Sequence, residues 1–172
     1  MARFLRRSKD VSGTRPGTLV HVGEKREEKV LIHVMQFSSD TLNEVETDSI
    51  GEALSMLSND RMTWINIVGL HELDIIKQLG EQFSLDDLLL EDMLNTAHRP
   101  KYIYREEGLA FIVKLLQLDS KARLHADQMS IIAGRNYLVT LQERRGTYLD
   151  PVRERIRKTR NRQRVIHPDY LA

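Results

Sequence analysis

The chain has 172 residues, 41% hydrophobic and 30% charged, with a formal net charge of +1, which suits one domain around one sizeable core. It has no cysteine, which excludes a disulfide framework, a thiolate nucleophile and a cysteine zinc site and suits a reducing cytosol. The start, MARFLRRSKDVSG, has no apolar run of signal-peptide length, and the longest apolar patches, such as LAFIV at Leu109 to Val113, fall far short of a bilayer-spanning helix of roughly 20 residues, so a soluble chain is expected. The small net charge hides an asymmetry. Seven Lys and Arg stand against one acid between Arg153 and Arg164, leaving 19 basic and 24 acidic residues elsewhere, about −5.

Met1 to Pro16 is polar, basic and without hydrophobic period, and reads as a mobile leader. Thr18 to Val22 and Lys29 to Phe37 have strand character and are expected to pair across the polar turn GEKREE. From Ser49 to Leu57, the spacing of Ile50, Ala53, Leu54 and Leu57 predicts a short amphipathic helix. Met62 to Val68 follows as a strand, with Trp64 and Asn66 on one face, Ile65 and Ile67 on the other, and Gly69 stopping it. Leu73, Ile76, Leu79 and Phe83 mark one helix, and Ser84 with Asp87 three residues on resembles a capping box opening the next. Tyr102 to Tyr104 and Leu109 to Leu118 flank REEG, and Gln128 to Ala133 and Tyr137 to Gln142 flank GRN, so two hairpins are predicted. The sum is a mixed α/β sheet of about six to seven strands with helices on its faces, and no internal repeat.

Asp150 followed by Pro151 is a strong helix start. Beyond Val152 and Ile156 the next large apolar residue is Val165, so the helix is polar nearly all round and is not expected to be held by its own domain. Tyr170 and Leu171 begin an apolar stretch at the very end, which suggests a piece of a longer protein; a frayed natural terminus is the alternative.

Two adjacent carboxylates, Glu91 and Asp92, fall on a helix otherwise built for burial. At about 100° per residue, Asp87, Glu91 and Asn95 share a polar stripe while Asp92 lies beside Leu85 and Leu88 at the edge of the apolar one. The two acids therefore diverge, a geometry suited to offering oxygen ligands to hard divalent cations shared with a neighbouring surface. The plainer reading makes Glu91 a solvated helix residue and Asp92 a partner of Arg99 or of a local cap.

Five segments in order, WINIVGLHELDIIKQLGEQF, LLLEDMLNTAHRPK, LAFIVKLL, QMSIIAGRNYLVTLQE and LDPVRERIRK with DYLA beyond it, closely resemble the N-terminal cytoplasmic domain of the CorA family of magnesium and cobalt channels. The resemblance lies mostly in Thr63 to Ala172, and no role is transferred to residues before it. It implies an α/β/α sandwich over residues 17–148, with 149–172 leading toward a long stalk helix and membrane helices. It further implies a homopentamer at the cytoplasmic face of the inner membrane, in which Glu91 and Asp92 contribute to regulatory Mg2+ or Co2+ sites between subunits. The Gly-Met-Asn pore signature and the stalk are absent from these 172 residues, so the expected role is regulation, not conduction.

A zinc transporter of the same superfamily is the alternative, but no Cys or His cluster accompanies Glu91 and Asp92, which favours magnesium. Nucleic-acid binding by Arg153 to Arg164 is a weaker alternative, since no aromatic stacking residue is interleaved there, and no nucleic-acid partner is expected. The six histidines lack HxxxH spacing and no phosphate-binding glycine loop or nucleophile elbow is present, so no enzymatic activity is expected.

Overall fold

The computed structural model describes residues 15, 17–22, 25, 27–118 and 121–158. Along the chain these form β1 (Leu31–Phe37), β2 (Leu42–Thr47), α1 (Ile50–Ser55), β3 (Met62–Val68), α2 (Leu73–Gln82), α3 (Asp87–Leu94), β4 (Lys101–Arg105), β5 (Gly108–Leu118), β6 (Leu124–Ala133), β7 (Tyr137–Gln142) and α4 (Asp150–Lys158). The sheet runs β2-β1-β3-β7-β6-β5-β4. Its β3–β7 pair is parallel and every other pair antiparallel, so the expected mixed sheet is present.

Layering follows from side-chain alternation. β3 lies near the middle of the sheet and is buried along its whole length. Ile65 and Ile67 enter a large core with residues of α1, α2 and α3, while Met62 and Trp64 enter a smaller one with Met35, Phe37, Leu138 and Ile156 of α4. Helices thus cover both faces, the α/β/α arrangement. Gly69, at φ +100°, turns the chain off β3 in a region that L side chains rarely adopt.

Three local expectations are corrected. Thr18–Val22 is not a strand paired with the Lys29 to Phe37 stretch: both edges of β1 are taken, by β2 and β3, and Val22 makes only an isolated bridge to Asn95. The true partner, β2, has the sequence LNEVET with no buried residue, a charged edge strand whose composition conceals it. Ser84 does not cap α3. It sits at φ +49° and closes α2, with the Leu85 N–H donating to Gly80 O at 2.9 Å in the pattern of a Schellman motif. Asp86 is the actual cap of α3, accepting from Leu89 N at 2.8 Å.

The last helix also behaves differently over its described part. Ile156 is fully buried and Val152 and Leu149 pack beside it against the Trp64 cluster, burial of Ile156 alone being worth about 1.5–3 kcal/mol. Arg157 adds a two-pronged bond to Glu44 of β2. The start of the helix is therefore held by its own domain. The expected polar continuation and the start of a stalk lie outside the described residues, as does the expected mobile leader apart from Arg15.

Candidate carboxylate site on the third helix

Leu89, Leu90, Met93 and Leu94 drive α3 onto the core, and the far end of the helix is tied to the sheet by polar contacts. The buried Gln128 of β6 donates from Nε2 to Met93 O at 3.0 Å, and Lys114 Nζ of β5 donates to Thr96 O at 2.6 Å and to Gln128 Oε1 at 3.0 Å. An ammonium beside the carbonyl end of a helix is favourably placed. Burial pushes the Lys114 pKa down, opposed by Glu143 and Asp127.

The helical step separates the two carboxylates as expected. Glu91 is half-buried and its Oε2 accepts the Gly17 backbone N–H at 2.7 Å. Gly17 belongs to a segment laid along α3, anchored at Val22 by its N–H to Leu94 O (3.1 Å) and by Thr96 N donating to Val22 O (3.0 Å). Asp92 turns the other way and is buried. Its Oδ2 meets Lys101 Nζ and its Oδ1 lies 3.5 Å from His98 Nε2. Arg99, the partner considered from sequence, stays exposed before Pro100. Lys101 begins β4 opposite Ile112, and that register sets it on the helix-covered face.

Sequence reasoning did not find Gly17, His98, Lys101, Lys114 or Gln128 at this site. A faint signal existed in Lys101, a second cation two residues past Arg99 and directly before the strand predicted from Tyr102. Chemically, the pair offers hard oxygen donors. Glu91 Oε1 has no partner among the described residues, whereas both oxygens of Asp92 are engaged. Among the described residues no three His, Asp or Glu converge on one point, so a cation here would complete its shell with water or with groups from elsewhere.

A second polar region lies between α4 and the sheet, a cleft of about 670 Å³ whose lining includes His33, Asn66, Gln142, Arg145, Arg153 and Arg157. Its floor is a buried network: Trp64 Nε1 donates to Thr140 Oγ1 (3.0 Å), which donates to Asn66 Oδ1 (2.8 Å), and Gln142 Nε2 donates to the same oxygen (2.7 Å). Arg153 lies over the Trp64 ring at 5.5 Å and pairs with Asp150 at 2.8 Å. Burial, followed by the nearby Arg153, holds the His33 pKa below its usual value; Glu44 at 3.3 Å opposes the shift while also being bonded by Arg157. His21 is lowered too, by burial and then His71.

With a depressed pKa in the fold, neutral His33 contributes stability that is complete above the unfolded value of 6.5 and is lost as pH falls through it toward the folded value. Thermal unfolding scans from about pH 7.5 to about pH 5.5 are expected to show a falling Tm, with a shallower slope in His33→Gln. An unchanged slope would remove His33 from the acid response.

The model of the family described as "CorA-like Mg2+ transporter protein" matches residues 59–169. The chain is 38% identical over 160 residues to the cobalt/magnesium transport protein CorA of Thermotoga maritima, an alignment covering 92% of this chain and 45% of that protein. It therefore spans a little under half the length of this relative. The family match over residues 59–169 agrees with the expectation that the resemblance lies mostly beyond Thr63, and the alignment to the Thermotoga protein covers residues before it as well. Among solved structures, the fold is similar to full-length CmaX (TM-score 0.58, 16% identity, 76% of this chain and 40% of that one). It is similar also to the ZntB cytoplasmic domain of Vibrio parahaemolyticus RIMD 2210633 (TM-score 0.56, 12% identity, 77% and 52%). A third likeness is to the soluble domain of CorA from Methanocaldococcus jannaschii (TM-score 0.50, 13% identity, 75% and 48%). At such identities these three speak for the fold alone.

Proposed function

The chain belongs to the CorA family, and from that premise we propose that it is the ion-sensing, regulatory domain of a transport protein for magnesium or cobalt. The observation that carries this reading is the 38% identity to a cobalt/magnesium transport protein across 92% of the chain. In this reading residues 17–148 form the sensing domain at the cytoplasmic face of the membrane, and 149–172 lead toward stalk and membrane helices of a longer chain. No helix among the described residues is long and apolar enough to cross a membrane.

Glu91 and Asp92 serve as the sensing pair. In a homopentamer, α3 would present them to acids of a neighbouring subunit, and like charges about 4 Å apart repel by about 4 kcal/mol at an effective dielectric of 20. A bound divalent cation supplies the charge that makes this closeness favourable. Glu91 contributes an oxygen already oriented by the Gly17 N–H, and Asp92 contributes from a buried, rigid position at the helix edge. Without the ion the repulsion favours a separated arrangement, so ion occupancy biases which arrangement the subunits adopt.

The zinc alternative gains one imidazole, His98, beside Asp92, which is short of the several soft ligands zinc prefers. The nucleic-acid alternative is weakened because Arg153, Arg157 and Lys158 are each paired with an acid, Asp150, Glu44 or Glu154.

In the longer protein, Glu91→Ala with Asp92→Ala is expected to abolish most of the protection that millimolar magnesium gives against limited proteolysis. Protection equal to that of the unaltered protein would remove both residues from the sensing site.

A further inference from the structure

We infer that Lys101 is a built-in counter-ion of Asp92 which an arriving divalent cation has to displace, and that it thereby sets the ion concentration at which this face of the domain responds. The inference rests on Glu91 and Asp92 being the sensing pair. Its starting point is burial. A carboxylate as enclosed as Asp92, whose side chain is 11% exposed, requires a compensating charge, and Lys101 Nζ supplies it at Oδ2.

The two acids differ in what opposes a cation. Glu91 is held by a neutral backbone N–H, which leaves its charge available. Asp92 is held by an ammonium. Asp92 and Lys101 together carry no net charge and so offer nothing to attract a dication; with Lys101 withdrawn, Asp92 presents one negative charge. An ammonium and a dication a few ångströms apart in a partly hydrated site repel strongly enough to change affinity about tenfold or more.

Withdrawal is mechanically easy. The Lys101 side chain is 48% exposed and sits at the first residue of β4 on the edge of the sheet. Rotation about its flexible four-carbon stem carries the ammonium into water without disturbing the β4–β5 ladder. His98, 3.5 Å from the other oxygen, remains to orient the carboxylate. The exchange is thus of one cation for another at a fixed acid.

The test uses the longer protein to which this domain belongs, with magnesium chloride as probe, at ionic strength matched by sodium chloride, reading the unfolding temperature of this domain and calorimetric binding. Lys101→Gln is expected to lower stability in ion-free buffer, because Asp92 loses its partner, and to shift the midpoint of magnesium stabilisation about tenfold lower than in the parent. Lys101→Arg, which keeps the charge, should behave as the parent. If Lys101→Gln is unfolded without magnesium, the midpoint of refolding on its addition reports the same quantity. Equal midpoints for the parent and Lys101→Gln, with Asp92→Asn abolishing the response, would overturn the role of Lys101 and leave the sensing pair standing. A magnesium response unaffected by Asp92→Asn, or none in any variant, would overturn the pair and the counter-ion together.

Discussion

Replacing Trp64 by alanine is expected to cost about 3–5 kcal/mol of stability, the range for removing a large aromatic from a core. Trp64 is the sole tryptophan in the chain and lies in the middle of the smaller core, with Met35, Phe37, Leu138 and Ile156 around it. Its removal opens a cavity, strips Thr140 of the donor at 3.0 Å and takes away the ring beneath Arg153. Those losses fall on one interface, where α4 meets the sheet, so α4 should loosen before the remainder unfolds. Urea unfolding followed by far-ultraviolet circular dichroism gives the stability, and hydrogen exchange at the amides of α4 gives the local effect. A loss below about 1.5 kcal/mol, the scale of a conservative core swap, would show that the core closes over the gap. Trp64→Phe, which keeps an aromatic ring over the same patch, should retain part of the stability and more of the α4 protection.

Gly108→Ala is the second large effect, at least about 3 kcal/mol. Gly108 has φ +148°, and a Cβ built on it would fall 1.9 Å from Ala133 O, a clash with backbone that no rotamer relieves. Conformational strain of this kind alone costs about 1–3 kcal/mol, and moving the strand adds to it. The consequence reaches the carboxylate site, because Gly108 pairs with Arg105 and the same register places Lys101 opposite Ile112. A slip of one residue would turn Lys101 to the other face of the sheet and leave Asp92 without its ammonium. Chemical unfolding together with hydrogen exchange across β4 and β5 measures both parts. A loss under about 1 kcal/mol would mean that the hairpin tolerates a side chain there by shifting as a unit.

Much of this architecture is written in short-range pattern. The β-branched run at Met62 to Val68, the Ser49 start of α1, the apolar spacing from Leu73 to Phe83, the two hairpins and the Asp150-Pro151 helix start are all legible, because each depends on residues within one or two turns of one another. Legibility fails where an element is defined by what lies beside it. LNEVET becomes a strand only because β1 offers a free edge, and Thr18–Val22 fails to become one because that edge and its opposite are already taken. Ser84 has cap chemistry, but burial of Leu85 makes it the end of α2.

The carboxylate site shows the same division. The sequence by itself determined that Glu91 and Asp92 share a helix and point apart, since that follows from the angular step of an α-helix, and that the chain is similar to a CorA cytoplasmic domain. Only the tertiary structure decided that Glu91 meets Gly17, 74 residues away along the chain, and that Asp92 meets Lys101 instead of Arg99. Such partners are selected by strand register and by which face a helix buries, and those are settled by packing across the whole domain, beyond the reach of any local pattern.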